Sequence, residues 1–312
     1  MNLGYACINM ELSQPIKEGR QIIRERITTN RSMIKRTYKE RGIAYASQLA
    51  LQNCLDLEDI LKWNESKGIK FFRMSSAIFP WASEYKFEDL PDWKEIKKSL
   101  VRTGFYATLK DHRLTFHPGP FNKLTSPKEH VVQNTIRDLE IHGKVLDEMG
   151  LSRTPYNKIN IHVGAHYNNK PMAISNFCKN FERLSESVQS RLTVENDDKA
   201  SLYSTKELYE EIYKRIDIPV VHDLHHHTFC TGGLTNGEAI KLAAKTWGMV
   251  KPVVHYSQSR AEEQNNTKIK ANAHSDSYWT AVNTYGQDVD VMLECKHKEI
   301  GLFSMRDLLN EL

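Results

Sequence analysis

The sequence lacks a paired-cysteine framework: its five cysteines, Cys7, Cys54, Cys178, Cys230 and Cys295, are scattered, and no two stand as C-x-x-C. An odd, sparse set excludes a disulfide scaffold and suits a reducing compartment, with the thiols as packing residues. Also missing is any apolar run near the roughly 20 residues of a membrane span. The opening "MNLGYACINMELSQ" has no charged region followed by an apolar one, as a secretory signal would. The expectation is a soluble, intracellular protein with no membrane partner. No self-similar repeat or low-complexity linker divides the 312 residues, and a chain of this length with 40% hydrophobic content buries one large core. A single domain over 1–312 is expected.

A strong charge of one sign is absent too, since the net charge is only +4. Bulk electrostatics therefore announces no nucleic-acid partner. The distribution says more: residues 17–41, "KEGRQIIRERITTNRSMIKRTYKER", hold nine Lys or Arg against three Glu, so this segment supplies the whole excess. Such a segment suits a phosphate backbone; the plainer reading is a solvated helix face with i,i+4 pairs, such as Glu25 with nearby arginines.

What is present is alternation. Short β-branched or aromatic runs at 2–7, 70–75, 113–118, 158–164, 191–197, 219–224, 251–257 and 288–296 read as strands. Helical periodicity fills most intervals, as at 57–68, 129–150, 172–188 and 205–216, and Gly68 and Gly150 stand where helix stops belong. Strand–helix repeated to eight predicts an α/β fold, a single-domain (β/α)8 TIM barrel.

Polar residues recur at one place in this pattern: His117, His162, Glu195, Asp223, His255 and Glu294 close strands 3 to 8, and Asn9 follows strand 1. The carboxyl ends of barrel strands open on one face, so these residues should converge. Any one alone is more often a hydrogen-bonding residue than a ligand. Three histidines and three carboxylates together, with no matching cluster of Lys or Arg, are expensive to desolvate unless cations neutralise them. The mixed set suits zinc, manganese or iron rather than calcium, and it exceeds what one tetrahedral ion uses, so two or three ions are expected. Paired ions roughly 3.5–4 Å apart suit phosphodiester hydrolysis; sugar isomerisation on a metal-bearing barrel is the competing reading.

Ordered motifs decide between them. "LGYACIN", "TTNRSM" (28–33), "FFRMSSAIFPWAS" (71–83), "LTFHPGPFNKLTSP" (114–127), "NIHVGAHYNNK" (160–170), "LTVENDD" (192–198), "VVHDLHHH" (220–227), "VVHYSQS" (253–259), "AHSDSY" (273–278) and "VMLECKHKE" (291–299) together resemble the UV damage endonuclease family nearly end to end. That family is similar in barrel and metals to endonuclease IV. The resemblance implies a DNA repair nuclease that cuts immediately 5′ of cyclobutane pyrimidine dimers and (6-4) photoproducts in double-stranded DNA, leaving a 3′-hydroxyl and a 5′-phosphate. It implies two to three divalent cations, manganese foremost, with zinc, cobalt or magnesium as alternatives. Its ligand set falls on His117, His162, Glu195, Asp223, His226, His255, His274 and Glu294, of which Glu195, Asp223 and Glu294 are the expected catalytic carboxylates. Tyr5 and Asn9 are placed at the substrate, and the loop with Pro120 and Phe121 becomes the lesion probe. A monomer is implied, cytoplasmic in a bacterial or viral source, with a nuclear location open for a eukaryotic one.

Three positions depart from the family pattern. Pro120 stands where the probe loop usually has glutamine and cannot hydrogen-bond there. Val253 replaces a lysine two residues before His255, so a cationic or carboxylated lysine near the metals is expected to be absent. Glu84 stands where a further histidine is common. A damage-binding protein with impaired cutting is therefore a third reading. Within 220–233, strand alternation turns His222 away if Asp223 faces the barrel mouth, leaving His225 and His227 as loop residues beside the ligands. His166 and the five tryptophans read as surface or packing residues, and Lys296 as a possible phosphate contact.

Overall fold

The computed structural model describes residues 1–19 and 21–311. Eight parallel strands form the sheet: β1 (Leu3–Ala6), β2 (Phe71–Arg73), β3 (Arg113–Thr115), β4 (Ile159–His162), β5 (Leu192–Glu195), β6 (Val220–Asp223), β7 (Val253–Tyr256) and β8 (Asp290–Leu293). Their order is β3-β2-β1-β8-β7-β6-β5-β4. Phe116 closes the ring: it bridges Ile159, its N–H donates to the Lys158 carbonyl at 2.9 Å, and its carbonyl accepts from Asn160 N–H at 2.9 Å. The expected barrel is thus formed, with every strand inside its expected span and shorter than it.

Alternation sorts the side chains. Ala6, Phe71, Val221, Val253 and Met292 come from five strands and touch one another, which only the barrel interior allows. Their sequence neighbours Tyr5, Phe72, Val220, Val254 and Val291 pack outward into the helix layer. At the amino-terminal end of the barrel the interior is plugged by Arg113, fully buried, with Nη1 donating to Asp290 at 3.1 Å and to the Lys251 carbonyl at 2.9 Å.

The helix layer begins with α1 (Lys35–Ser66), α2 (Trp93–Leu109), α3 (Glu129–Glu148) and α4 (Lys170–Phe181). Thr205–Leu208, a π-type stretch Tyr209–Tyr213 and Lys214–Ile216 follow, then helices Asn236–Ala244 and Lys298–Asn310. Gly68 and Gly150 end their helices at φ of 64° and 68°, as expected of helix stops. The first helix starts at Lys35 rather than residue 57, with a kink at Gly42 (φ 65°) that obscures the period in sequence. The expected helix 172–188 is interrupted after Phe181 and resumes as Glu186–Gln189.

The basic segment 17–41 is not one helix face. It runs through an antiparallel hairpin, Ile16–Glu18 with Gln21–Arg24, and an extended stretch before α1; Arg20 lies outside the described residues. Several of its cations are engaged internally. Arg24 donates to the Gln14 carbonyl at 2.9 Å, and Arg31 reaches Asp56 at 2.5 Å. The i,i+4 pair found is Arg36 with Glu40, not one with Glu25. All five cysteines are free thiols, and no described helix is long and apolar enough to cross a membrane.

Candidate metal centre

The carboxyl ends of β4 to β8 and the turn after β3 bring the expected ligands together. Three groups form, each with one donor atom per residue and all within 4.8 Å of one another: His117, His162 and Glu195; Glu195, Asp223 and His226; Asp223, His255 and Glu294. Glu195 and Asp223 each belong to two groups, so the three are contiguous. His274, the eighth expected ligand, lies in none of them but stands with Nδ1 3.6 Å from Glu294 Oε2.

Short contacts define the centre. Glu195 Oε2 is 2.9 Å from His117 Nε2 and 3.1 Å from His255 Nδ1, and it accepts from Asn160 Nδ2 at 2.5 Å. His255 Nδ1 is also 3.0 Å from Glu294 Oε1. Glu195 Oε1 faces His226 Nδ1 at 3.4 Å. Asp223 Oδ1 caps the short helix Leu224–His227 by accepting from His226 N–H at 2.7 Å, which leaves Oδ2 toward the centre.

The donor set fits divalent cations on a structural ground. Glu195 Oε1, Asp223 Oδ2, His162 Nδ1 and His255 Nδ1 are buried without a hydrogen-bond partner. His162 Nδ1 and Asp197 Oδ1, 3.3 Å apart, lack hydrogen-bond alignment. Buried polar atoms are rarely left so, and four at one point mark a place built for an ion.

Charge supports this, with a correction. The sequence suggested no nearby Lys or Arg, yet two cationic side chains stand here. Arg73, at the end of β2, pairs through Nη1 with Glu294 Oε1. Lys158, just before β4, lies fully buried with Nζ 3.1 Å from His255 Nε2. A lysine is thus close to the centre although strand 7 has Val253, because 158, 160 and 162 share the inward face of β4. Burial pushes the Lys158 amine down to about 7, so it offers only part of a charge. Arg73 alone cannot balance Glu195, Asp223 and Glu294, and in the metal-free protein a proton on His162 makes up part of the difference.

Protonation follows from these neighbours. Burial pushes His117 down to about 4. His162 is opposed by burial too, but the carboxylates of Glu195 and Asp197 lift it to about 9. Despite burial, His255 and His162 hold Glu195 well below the usual carboxylate range; Arg73 and His255 do the same for Glu294. A cation binding at His162 must therefore displace a proton below pH 9. We expect apparent metal affinity to rise with pH between 7 and 9, by about tenfold per unit for one proton. Calorimetric metal titrations in buffers of different ionisation enthalpy should show about one proton released at pH 7. Zero release would show that His162 is already neutral in the metal-free protein at pH 7 or stays protonated beside the ion.

A cleft of about 670 Å³ opens over the centre, lined by Arg73, His117, Pro120, Lys123, His162, Glu195, Lys199, His226, His274 and Glu294 among others. Pro120 is thus at the mouth, and Phe121 beside it is 86% exposed. Tyr5 and Asn9 depart from the expectation. Tyr5 packs on Phe72 behind the barrel wall and donates its hydroxyl to Asn64 at 2.7 Å, while Asn9 Nδ2 donates to that same hydroxyl at 3.0 Å. Both are fully buried, and neither lines the cleft. Alternation is the reason: Ala6 takes the inward place. Glu84 is exposed and shares a separate depression with Gly119 and Phe121, away from the ligand groups. His222 turns outward as expected, with its ring nitrogens 2.8 Å from Thr205 Oγ1 and 3.1 Å from Asn236 Oδ1. His227 bonds the Leu234 carbonyl at 2.9 Å, and His166 holds a local turn. Lys296 is exposed outside the cleft. Sequence reasoning missed Asn160, Asn196, Asp197, Arg73 and Lys158. Asn196 clasps the Asp223 backbone, donating to its carbonyl at 3.0 Å and accepting from its N–H at 2.7 Å.

Comparison with known proteins agrees with this geometry. A family model described as UV-endonuclease UvdE matches residues 1–312. A UV-damage endonuclease of Schizosaccharomyces pombe is 34% identical over 97% of this chain and 50% of its own length. The UV DNA damage endonuclease of Clostridium perfringens is 30% identical over 100% of this chain and 71% of its own. The chain thus spans about half the length of its fungal relatives. The crystal structure of SacUVDE is similar with a TM-score of 0.83 and 29% identity, covering 100% of this chain and 98% of that one. A D-tagatose 3-epimerase-like protein, with a TM-score of 0.53 and 13% identity over 78% of this chain and 88% of its own, shares the fold alone. Over its whole length, this chain belongs to the UV-endonuclease UvdE family.

Proposed function

We propose that this protein is a metal-dependent DNA repair endonuclease that hydrolyses the phosphodiester immediately 5′ of UV photoproducts, leaving a 3′-hydroxyl and a 5′-phosphate. The observation that carries this reading is the set of three contiguous ligand groups sharing Glu195 and Asp223 at the floor of an open cleft. His117, His162, Glu195, Asp223, His226, His255 and Glu294 would hold two to three divalent cations, manganese foremost, with His274 beside Glu294. When bound, such ions lower the pKa of a coordinated water and take up charge on the leaving oxygen. Asn160 and His117 fix the orientation of Glu195, while Asn196 clasps the Asp223 backbone and His226 N–H holds its Oδ1, so both shared carboxylates are held before substrate arrives. The relatives' names, UV-damage endonuclease and UV DNA damage endonuclease, support DNA damaged by ultraviolet light as the substrate class, and we take it to be double-stranded.

Lesion choice has a separate physical source. A photoproduct dinucleotide stacks and pairs poorly, so extruding it costs less than extruding intact bases. Phe121, exposed next to the cleft-lining Pro120, is suited to fill the gap by stacking, while Pro120 adds bulk without a donor. Lys123 and Lys199 on the cleft wall suit backbone phosphates. The sugar-isomerase reading fares less well. The D-tagatose 3-epimerase-like protein shares the fold alone at 13% identity, whereas the UV-endonuclease family model spans the whole chain.

The test is to incubate the purified protein and manganese with a duplex carrying a single thymine dimer and map the product ends. A nick immediately 5′ of the dimer with a 3′-hydroxyl is expected. No cut with full metal occupancy would overturn the nuclease reading, and selective binding without a cut would favour the damage binder.

A further inference from the structure

We infer that Arg73 binds a phosphate oxygen of the DNA strand with the part of its guanidinium that Glu294 leaves free. The inference rests on the nuclease reading above and adds a substrate contact to it. Arg73 ends β2 on its inward face and lines the cleft together with His117, His162 and Glu294. Its hydrogen bond to Glu294 Oε1 is the one its side chain makes among the described residues, and its Nε is buried without a partner. The side chain is 14% exposed and lines the cleft, so part of the guanidinium is reachable from it, while Nε lies just beneath the surface.

Contrast with the other buried arginines gives this weight. Arg113 spends Nε and both terminal nitrogens on Asp290 and on the carbonyls of Tyr156, Lys251 and Pro155. Arg191 likewise serves Asp147, Ser187 and the carbonyls of Ser152 and Leu151. Those are saturated structural cations. A guanidinium has five donors in a planar fork matched to two oxygens, yet Arg73 meets Glu294 through one nitrogen only. The second oxygen of Glu294 faces His274 instead. Arg24 and Arg260 also leave Nε unpaired, but among these three arginines it is Arg73 that lines the cleft beside the ligand groups. A phosphate seated on the ligand groups lies one carboxylate away, because Glu294 Oε1 also faces His255 Nδ1 at 3.0 Å. An oxyanion there would complete the fork that the protein leaves open.

The experiment compares wild type with Arg73→Gln and Arg73→Lys as metal-loaded proteins. The probe is a thymine-dimer duplex in which a methylene replaces the 3′ oxygen at the cleavage position, so that it binds without being cut. Affinity is measured from 50 to 200 mM salt, and bound metal by elemental mass spectrometry. Losing one phosphate contact should weaken binding by Arg73→Gln about tenfold. It should also reduce the slope of log affinity against log salt by about 0.9, with metal content unchanged. Arg73→Lys should keep the slope but bind more weakly than wild type, since charge remains and the fork does not. A wild-type slope in Arg73→Gln, or a change that disappears when lost metal is restored, would reduce Arg73 to a counter-ion for Glu294. Where Arg73→Gln fails to fold, wild-type affinity in Arg73→Lys overturns the inference. If wild type shows no preference for dimer over undamaged duplex, the nuclease reading fails, while the slopes still decide whether Arg73 touches phosphate.

Discussion

Replacing Glu195 with Gln is expected to lower DNA cleavage by about 10³-fold or more while leaving the barrel folded. One electrostatic contact to the transition state is worth about 10²–10³ in rate, and Glu195→Gln disturbs two ligand groups at once. Glutamine keeps the volume and one acceptor, so packing is little changed. It loses the negative charge and replaces one oxygen with an NH2 that cannot ligate. Glu195 belongs to two of the three ligand groups and contacts His117, His226, His255 and Asn160, so one group loses its single carboxylate and the second is left with Asp223 alone. Bound metal should fall together with activity, and thermal unfolding of the metal-free proteins should differ little. Asp223→Asn should behave alike, because Asp223 is the other shared carboxylate. Glu294 serves a single group and is partly neutralised by Arg73, so Glu294→Gln should cost less. Full activity in Glu195→Gln with wild-type metal content would show that the ligand set is wrong.

How far the sequence could be read depended on period. Eight strands were legible because β-branched runs such as "NIHVG" and "LTVEN" are buried on both faces and end in a polar residue. Those ends singled out six of the candidate ligands before any geometry, and the same alternation sent His222 outward to Thr205 and Asn236. His226 sits in the short helix after β6 and His274 in the loop after β7, both beyond the strand alternation, so only family resemblance singled them out. Tyr5 was misplaced for lack of the alternation argument: in "NLGYAC", the small Gly4 and Ala6 leave room inside the barrel, and the bulky ring belongs outside against Phe72 and Asn64. Counting back by two from His162 would have found Asn160 and Lys158. Arg73 was hidden by a different effect, since a strand-end arginine reads as a solvated residue unless the residues it meets across the barrel are known. The hairpin at 16–24 was not legible because both its strands are exposed and so carry no burial pattern.

At the opposite end of the barrel, Arg113→Met is expected to reduce unfolding free energy by about 3–5 kcal/mol. Arg113 is fully buried, ion-paired to Asp290, and roofed by the rings of Tyr156 and Trp247 at 4.8 and 5.5 Å. Methionine fills much of the space but leaves the Asp290 carboxylate in the barrel with Lys251 3.8 Å away and one backbone donor, Asn2 N–H at 2.8 Å. The carbonyls of Lys251, Tyr156 and Pro155 lose their donor at the same time. Urea denaturation should show the midpoint falling with little change in slope. The double variant Arg113→Met, Asp290→Leu should recover part of the loss, because removing both charges ends the desolvation cost that removing one exposes. Cleavage per folded molecule should stay near wild type in both. The plug occupies the amino-terminal end of the strands, whereas the ligands rise from the carboxyl ends, so a stability loss without a catalytic loss would separate the layer that closes the barrel from the layer that does the chemistry. A loss below about 1 kcal/mol would mean that water or a neighbour satisfies Asp290 in place of Arg113.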